Sequence, residues 1–499
     1  MVIRSILKLY LIFGISLIYS QTYEDVLRYN SYNYEGTSRF NSMGGAFGAL
    51  GGDLSAISIN PAGSSIFLES EFGVTLNYKN NEIRNNFNNN QSISKEDLVS
   101  FNQVGLVLVY ENRKSKFSFG YNMNRFNDFN DSFMFSGKNN NGIDKYFLYY
   151  ADGLSSSDLS VFDGESIQSV YKFLGDSYGY GDQQAFLGYQ SYLINEVDEL
   201  PNNYISNTLY TSLNQLLSID RKGDHLVHSL NFSTFYNDYL YLGLNFNFHS
   251  ITFEEYKFFK ESNYSNNSPI KRVQFEENLF SLGEGFSIQF GSLLKFNNLR
   301  IGLSYTSPSF LKFDEETSQY IESDILEDDN LKTISVDPNT INLFEEYRLT
   351  LPSKSMFSLA YIFGSKGLIS FDYELTKYNN SKFDDNNGRD SYLKSMNTKI
   401  KNNFKGLSKS MRIGGEYRVK NYTLRSGYFL YEGPESSIDN EISGLSVGLG
   451  INYGYFNIDL SLAKSNNYYD NRLYNRGLTS SYSIDKDVIT FSTTFTMKL

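Results

Sequence analysis

The sequence predicts an all-β protein: a 14-stranded antiparallel transmembrane β-barrel whose lumen is plugged by an N-terminal segment of short helices. Three observations lead to this prediction: an export signal, many segments of alternating apolar and polar residues, and connections that are short and long in turn. The C-terminal segment shows the pattern, because Ile489, Phe491 and Phe495 share one face of a strand while Thr490 and Ser492 share the other. An apolar outer face and a polar inner face are typical of a barrel in lipid.

Residues 1–20 have the pattern of a secretory signal peptide. Arg4 and Lys8 give a positive start, and the apolar run that follows, 9–18, is too short to span a bilayer as a helix. A small residue then precedes Gln21, where we expect the mature chain to begin. The alternative is an uncleaved anchor, which the absence of a following stop-transfer pattern disfavours.

Composition excludes several classes of protein. No other segment approaches the length of an apolar membrane helix, so a helical membrane bundle is excluded. There is no cysteine, hence no disulfide and no thiolate metal site, and no cofactor is predicted. A net charge of -12 without a basic run argues against nucleic acid as a partner. Tryptophan is absent, so any aromatic girdle must be built from the 41 tyrosines and 41 phenylalanines.

The barrel is predicted to occupy residues 70–499. Alternation and the content of Tyr, Phe, Val, Ile and Leu mark about fourteen strand segments. These segments are 70–79, 101–110, 117–126, 224–236, 239–252, 285–296, 299–307, 355–363, 367–377, 409–418, 421–431, 443–452, 455–464 and 487–499. The backbone must be fully paired in hydrocarbon, so we expect the last strand to pair with the first.

The connections between these segments differ in length in a regular way. Tight turns are expected at 111–116, 237–238, 297–298, 364–366, 419–420 and 453–454, whereas the other connections are mostly long and polar. This asymmetry is typical of an outer-membrane barrel with short periplasmic turns and longer extracellular loops. The largest loop is 127–223. Within it, Ile205, Leu209, Leu213 and Leu216 predict a helix by their spacing, and 165–174 predicts another.

Residues 21–69 do not have the pattern of strands. Met43, Phe47, Leu50, Leu54 and Ile57 recur at helical spacing, but five glycines interrupt the run. Glycines of this kind suit a backbone that passes close to other walls. The segment is therefore predicted to be a compact plug inside the barrel.

One stretch of the plug resembles a known family. Residues 36–63, which contain Asn60, Pro61, Ala62 and Gly63, resemble the N-terminal hatch of the FadL family of outer-membrane long-chain fatty-acid and hydrocarbon transporters. The Asn60-Pro61-Ala62 triplet matches the family's hatch motif, and this version is most similar to those of Bacteroidetes-type bacteria. Residues 299–308 and 351–373 are also similar, and a weaker likeness extends over the mature chain.

The resemblance implies a location and a function. A member of this family lies in the outer membrane of a Gram-negative bacterium, in contact with outer-membrane lipids and inserted by the barrel assembly machinery. It takes up a hydrophobic or amphipathic small molecule such as a long-chain fatty acid, which binds in the lumen and leaves sideways when the hatch shifts. In the family the sideways gap arises at a kink in the third strand, where this sequence offers only Gly120.

Residues for ligand binding can be named only as candidates. Phe47, Leu50, Leu54 and Ile57 of the hatch could line an apolar lumen, although packing of the hatch against the barrel explains each of them equally well. Arg425 would face the lumen beside strands that carry inward Arg412, Glu416, Asp372 and Glu374. It could bind a carboxylate headgroup, or this set could be a salt-bridge ladder that braces the wall.

Other functions are open to test at this point. The main alternative is a non-selective porin or a structural or adhesive barrel. Catalysis is disfavoured because His225 and His228 fall on opposite faces of one strand, and because the pairs His228-Ser229 and His249-Ser250 are adjacent and diverge. No metal site is predicted.

Overall fold

The chain forms a closed antiparallel barrel with fourteen strand positions in its wall. The computed structural model describes residues 22–30, 35–111, 116–197, 200–237, 239–385, 391–435 and 441–499. The predicted signal peptide, 1–20, lies outside the described residues. As the sequence predicted, the barrel closes by pairing of its last strand with its first, with Glu71 opposite Lys498 and Tyr78 opposite Phe491.

The elements have the following bounds. The strands are β1 (Glu71–Phe87), β2 (Asn90–Glu111), β3 (Lys116–Asp128), β4 (Asp131–Asn139), β5 (Ile194–Val197), β6 (Leu200–Ser206), β7 (Leu213–Tyr236), β8 (Leu240–Ser262), β9 (Ile270–Phe296), β10 (Leu299–Thr306), β11 (Ser309–Glu327), β12 (Asn330–Val336), β13 (Asn342–Leu343), β14 (Tyr347–Leu351), β15 (Lys354–Ile362), β16 (Gly367–Thr376), β17 (Lys382–Asp384), β18 (Ser408–Val419), β19 (Tyr422–Glu432), β20 (Glu441–Asn452), β21 (Phe456–Arg472) and β22 (Ser481–Lys498). The helices are α1 (Asp25–Tyr29), α2 (Ser38–Ser42), α3 (Ala56–Ile59), α4 (Asp144–Ala151), α5 (Ser156–Leu159), α6 (Ile167–Ser177), α7 (Tyr180–Gln190) and α8 (Ser391–Asn403), with 3₁₀ segments at Pro61–Ile66 and Tyr378–Asn380.

Four positions in the wall are each built from two strands in tandem. These pairs are β3 with β4, β10 with β11, β14 with β15, and β16 with β17. Pro308 lies between β10 and β11, and Pro352 lies between β14 and β15. Proline has no amide hydrogen to give to a ladder, so it interrupts a strand at these points.

The predicted short turns at 297–298, 364–366, 419–420 and 453–454 are present, and those at 111–116 and 237–238 lie partly outside the described residues. Several predicted long loops are wrong. The connections that were expected at 80–100, 253–284 and 465–486 are largely strand, because β1, β2, β8, β9, β21 and β22 continue outward. β1 and β2 meet at a tight turn in which Asn88 and Asn89 have φ of 49° and 66°. Such a two-residue turn fits the twist of a hairpin. Polar residues occur on both faces of several of these outer strand halves, so hydrophobic alternation did not identify them.

The largest loop contains an insert of helices, but one predicted helix is wrong. Helix α6 lies where 165–174 predicted one. Instead, Ile205 lies near the end of β6, Leu209 lies in the connection that follows, and Leu213 and Leu216 belong to β7. Leu213 and Leu217 share one face of β7 with period two and are buried in a core.

This insert covers the outer mouth of the barrel. Tyr146 and Phe147 of α4 pack against Phe275 on β9, at ring-centroid distances of 6.2 and 5.4 Å. From the far end of the chain, the connection 473–480 reaches the same core, where the Tyr474 ring lies 4.6 Å from that of Tyr146. The Leu473 carbonyl accepts a hydrogen bond of 2.8 Å from Lys257. The outer mouth therefore has a hydrophobic core of its own.

The outside of the wall carries the belt that the alternation predicted. Large apolar side chains such as Leu108, Phe232 and Leu424 are exposed there, and several exposed tyrosines lie near the short turns. These tyrosines are Tyr110, Tyr236, Tyr361, Tyr417 and Tyr455. None of the described helices combines the length and the apolar character needed to cross a membrane.

Candidate functional site

The N-terminal segment lies inside the barrel, and wall side chains bind it from many sides. Its core runs from Gly36 to Phe67, just before β1; we call this part the hatch. Wall residues bind its backbone, as in the hydrogen bonds from the Ser38 amide to Thr494 (2.6 Å) and from the Gly44 amide to Ser446 (3.1 Å). Because the chain buries these polar groups, each needs such a partner.

The Asn60-Pro61-Ala62 triplet of the hatch is buried against the wall. The Asn60 amide donates to the carbonyls of Gly48 (2.7 Å) and Ser292 (3.0 Å), so it links the hatch to β9. Gly243 on β8 and Gly291 on β9 face the triplet, and a Cβ at either position would overlap its atoms. The wall therefore lacks side chains where the hatch comes closest, which is the use of glycine that the sequence suggested for the hatch itself.

Side-chain amides of the wall bind carbonyls within the triplet and just before it. Asn231 donates to the Pro61 carbonyl at 3.0 Å, Asn245 to that of Ile57 at 2.8 Å, and Gln289 to that of Ile59 at 3.0 Å. These three amides lie on neighbouring strands β7, β8 and β9. Together they bind the backbone of the hatch along one side of the wall.

The four apolar candidates of the hatch all lie in packed cores. Phe47 and Leu50 belong to a cluster with Met356 and other wall residues, while Leu54 and Ile57 pack with Phe67 and Val107. Each of the four is at most 2 % exposed. Packing accounts for them in this structure, and their contact with a ligand stays a prediction.

Arg425 faces the lumen, as predicted, within a network of charges. It pairs with Glu416 at 2.8 Å and with Asp459 at 2.5 Å. Glu416 also pairs with Arg39 of the hatch at 3.0 Å. Arg425 thus takes part in a bridge between wall and hatch, and its binding of a headgroup stays a prediction.

A second charged contact holds the hatch on the neighbouring strands. Asp372 on β16 accepts hydrogen bonds from the amides of Phe47 and Gly48, both at 3.0 Å. Arg412 on β18 lies 3.8 Å from Asp372 and 3.2 Å from Glu374. The inward cluster that the strand pattern predicted is therefore present, and two of its members, Asp372 and Glu416, bind the hatch directly.

The wall has an interrupted ladder between β2 and its neighbour. Backbone pairing of β2 with β3 runs from Glu111 only as far as Gln103, which lies opposite Asn124. Beyond this point both strands bulge: Asn102 is an extra residue in β2, and Phe126 is an extra residue in β3. Bulges re-aim a strand and end its pairing.

The inner side of this interrupted ladder is charged. Lys79 on β1 lies 3.0 Å from Glu35 and 3.1 Å from Asp128, and Arg125 lies 3.4 Å from Asp224. Gly120, which the sequence offered for a kink in the third strand, instead faces Ile57 of the hatch, where a Cβ would lie 3.2 Å from that side chain. The kink is at Arg125–Asn127.

Comparison with solved structures identifies the fold. The crystal structure of a FadL homologue from Pseudomonas aeruginosa aligns with 93% of this chain and 98% of that chain, with a TM-score of 0.52 and 11% identity. The toluene transporter TodX of P. putida aligns with 94% of this chain and 99% of that chain, also with a TM-score of 0.52 and 11% identity. The barrel has the FadL fold. No family model and no curated protein matches the sequence.

Within this FadL fold, the outer part of the lumen holds a second N-terminal element. Helix α1 lies in a buried apolar cluster formed by wall strands β8, β11 and β14 together with α8; we call this cluster the outer chamber. Val26 and Tyr29 of α1 are fully buried there. Nothing in the five residues of α1 has an amphipathic pattern long enough to predict this from sequence.

A chain of hydrogen bonds across three strands was not predicted from the sequence. His225 Nδ1 lies 3.2 Å from the Tyr29 carbonyl, His225 Nε2 lies 2.9 Å from His249 Nδ1, and His249 Nε2 lies 3.0 Å from Ser287 Oγ. The carbonyl can only accept, so His225 donates to it, His249 donates to His225, and Ser287 donates to His249. The pattern along a single strand does not predict these contacts, because they depend on the register between neighbouring strands.

The other histidine lies on the opposite face, as predicted. His228 is half-buried, and its Nδ1 lies 2.9 Å from the Tyr121 hydroxyl. In the part of the chain that the structure describes, no group of three or more His, Asp or Glu side chains is placed to hold a metal ion.

Proposed function

We propose that this chain is a member of the FadL family, that it resides in the outer membrane of a Gram-negative bacterium, and that it takes up hydrophobic or amphipathic small molecules without an energy source. The fold and the hatch motif support this proposal together, and TodX, a structural neighbour, is named as a toluene transporter. Outer-membrane lipids and the barrel assembly machinery would be its other partners.

The observation that carries the proposal is a filled lumen next to an interrupted wall. The hatch is bound all round the lumen, while the helical insert covers the outer mouth. Among the described residues, the hatch and the insert both lie in the path that a polar solute would take along the barrel axis. An apolar molecule that gains about 0.8 kcal/mol per buried CH₂ can use the outer chamber, and it can leave sideways.

We propose that release occurs through the interrupted ladder between β2 and β3. A ligand in the lumen would pass the extra residue Phe126 and enter the lipid when the hatch or α1 shifts. Deleting Phe126 would bring Arg125 and Asn127 into consecutive register with β7 and straighten β3. Lateral release predicts that this deletion lowers uptake while ligand binding persists, and loss of both together would instead indicate a damaged barrel.

Uptake by proteoliposomes tests the function directly. We expect saturable uptake of labelled oleate or labelled toluene by the wild type, and its loss in the Asn60→Ala, Pro61→Ala double variant, because the triplet fixes the hatch to β9. Asn86→Ala, at an exposed site on the outer half of β1, is the matched control. The rival, a non-selective porin or a structural or adhesive barrel, predicts no saturable uptake; a large, steady ion current from the wild type would favour the porin.

A further inference from the structure

Four polar side chains lie together on the inner face of the wall, and the uptake function gives them no role. Ser287 Oγ donates to His249 Nε2 at 3.0 Å, and His249 Nδ1 donates to His225 Nε2 at 2.9 Å. Asn247 Nδ2 lies 3.4 Å from the same Ser287 oxygen. Each of the four is at most 9 % exposed. A hydroxyl bonded to an imidazole, which is bonded in turn to a third group, is the arrangement of an activated nucleophile.

The direction of these hydrogen bonds is fixed from one end. The Tyr29 carbonyl can only accept, so His225 carries its proton on Nδ1 and presents an unprotonated Nε2 to His249. His249 then carries its proton on Nδ1, and its Nε2 accepts from the Ser287 hydroxyl. This is the tautomer that a general base needs in order to take a proton from a serine. A neutral imidazole stands where a Ser-His-Asp triad has a carboxylate, so we expect slow turnover.

Asn247 is placed to stabilise negative charge beside the serine. Its side-chain carbonyl accepts a hydrogen bond of 2.8 Å from Ser229, which leaves the Nδ2 group for Ser287. When a serine attacks a carbonyl carbon, the carbonyl oxygen becomes an oxyanion next to the new bond. Side-chain amides are among the donors that stabilise such an oxyanion. The four side chains thus include a nucleophile, a base, a group that orients the base, and an oxyanion donor.

The four side chains lie between the hatch and the outer chamber. On β9, Ser287 lies two residues outward from Gln289, whose amide binds the hatch. On β8, Ile251 and Phe253 continue the inner face of His249 into the outer chamber, where both are buried. Apolar surroundings of this kind exclude water and suit a hydrophobic acyl chain, whose carbonyl end would then reach the serine.

We propose that Ser287 and His249 are the catalytic residues of an esterase centre in the lumen, with His225 as a positioning residue, and that its substrates are esters of hydrophobic carboxylic acids. This activity goes beyond uptake, although the ester would enter through the same lumen. The pattern along single strands disfavoured catalysis because a serine adjacent to a histidine points away from it. The nucleophile comes instead from the neighbouring strand β9, where Ser287 lies opposite Asn247, two residues from His249.

The chemical steps balance with water as the only co-reactant. Ser287 Oγ attacks the ester carbonyl carbon and its proton passes to His249 Nε2, while Asn247 donates to the oxyanion. Collapse of this intermediate breaks the ester C–O bond, and His249 gives the proton to the departing alcohol. Water then attacks the acyl-serine and gives one proton to His249. The acyl C–O bond breaks, the carboxylic acid leaves, and Ser287 regains that proton.

A serine-directed probe tests the nucleophile without any substitution. The wild-type protein, purified in mild detergent, is incubated with an alkyl fluorophosphonate, and mass spectrometry of its peptides locates the adduct. We expect a phosphonylated Ser287, together with hydrolysis of para-nitrophenyl octanoate that the probe abolishes. Absence of the Ser287 adduct would overturn the inference, and so would hydrolysis that persists after Ser287 has reacted completely.

Variants of the reacting groups test their roles in turn. Ser287→Ala should abolish both labelling and hydrolysis. His249→Ala should lower kcat at least a hundredfold with KM nearly unchanged, because proton transfer by a placed base contributes about 10²–10⁴. Asn247→Ala should lower kcat about a hundredfold, as loss of an oxyanion donor does. Heat-stable migration of each barrel in gels shows that it is folded. Wild-type kcat in a folded Ser287→Ala barrel would overturn the inference.

His225 needs a readout that a purely structural role would not change. His225→Phe should lower kcat about tenfold and slow phosphonylation of Ser287 by the same factor, with KM unchanged. His225→Gln retains a side-chain oxygen that can accept from His249, so it should recover part of the loss. Ser281→Ala is the matched control: this buried serine lies on the same face of β9 and donates to Glu315. Equal kcat in His225→Phe and the control would overturn the positioning role.

Failure of the esterase centre can be told apart from failure of the uptake function. Ser287→Ala proteoliposomes should take up labelled oleate as the wild type does, because a free acid is not an ester. If the wild type takes up oleate but forms no Ser287 adduct, the centre is wrong and the uptake function stands. If the wild type hydrolyses esters through Ser287 and takes up neither oleate nor toluene, the uptake function is wrong and the centre stands.

Discussion

The hatch and α1 both lie in the lumen, yet they are held by different forces. The hatch is fixed by hydrogen bonds and by ion pairs with the wall, such as Arg39 with Glu416. Helix α1 is held by aromatic packing around Tyr29 and by wall hydrogen bonds to the carbonyls of Arg28 and Tyr29, while its charges, Asp25 and Arg28, pair with each other. We expect the charged contacts of the hatch to resist its displacement more strongly than the mainly apolar contacts of α1 resist displacement of that helix.

Loss of the Glu416 carboxylate should have the largest effect on how firmly the hatch is held. Glu416→Ala would leave Arg39 and Arg425 without this carboxylate, and removal of one partner from a buried pair costs about 3–5 kcal/mol. We expect the hatch to loosen, with a steady ion leak in planar bilayers and faster proteolysis near the N-terminus. Glu284→Ala, at an exposed outward-facing site, is the control. A tight barrel after loss of Glu416 would mean that the charges do not hold the hatch.

Gly243→Ala should have a smaller effect on the same anchorage. A Cβ at this position would overlap the backbone of Pro61, and overpacking of this kind costs about 1–3 kcal/mol. We expect the hatch to be less stable, which should appear as faster hydrogen exchange of its backbone amides. Gly415→Ala provides a matched control on the wall, because the nearest atom to its Cβ would lie 3.8 Å away. Equal exchange in the two variants would contradict the close fit.

Arg425→Ala distinguishes a headgroup site from a brace. If Arg425 binds a carboxylate, the variant should lose about tenfold in affinity for oleate, equivalent to about 1.4 kcal/mol, while the barrel stays heat-stable. If it serves only as a brace to Glu416, oleate affinity should be unchanged and the hatch amides should exchange faster. Fluorescence titration and hydrogen exchange on the same preparation separate the two outcomes.

The smallest expected effect is a dependence of α1 docking on pH. Burial raises the pKa of Asp25 to about 7, although Arg28 beside it acts in the opposite direction and Glu315 and Glu24 add to the rise. A carboxyl with a raised pKa favours the docked state most below its ordinary pKa of 3.8, and this contribution is lost as the pH rises through 7.

We therefore expect α1 to undock more readily at pH 7 than at pH 5, by several-fold. The sequence has no tryptophan, so the indole emission of a Tyr29→Trp variant, followed against pH, measures this change. Asp25→Asn removes the titrating group and should flatten the curve. A slope that survives in the Asp25→Asn background would show that Asp25 is not the group that causes the dependence.

The sequence predicted the parts of the fold that repeat. The short turns and the apolar alternation identified the wall, and inward Arg425 and Asp372 followed from the same period of two. The outer strand halves, such as Asn80 to Asn86 in β1, were not predicted because polar residues occur on both faces there. Spacing alone also suggested a helix around Leu213, where the chain instead continues a strand.

The candidate site was harder to predict, because its contacts lie across strands. The pairing of His225 with His249 depends on the register of β7 with β8, which one strand cannot reveal. The aromatic packing of Tyr29 needs Phe129, Phe253 and Phe313 from distant parts of the chain. The Asn60-Pro61 motif lies in the segment that occupies the lumen, while the glycines that make room for it lie in the wall.

The connection between β21 and β22 has a consequence for assembly. Its residue Tyr474 places an aromatic ring 3.4 Å from the Lys257 ammonium, and its neighbour Leu473 accepts the Lys257 hydrogen bond across 216 positions of sequence. These contacts cannot form until the final hairpin has arrived. Contacts between such distant residues form slowly, because the intervening chain must first be brought together. We therefore expect the contacts of the connection 473–480 at the outer mouth to form last. Their formation would then show that assembly of the whole barrel is complete.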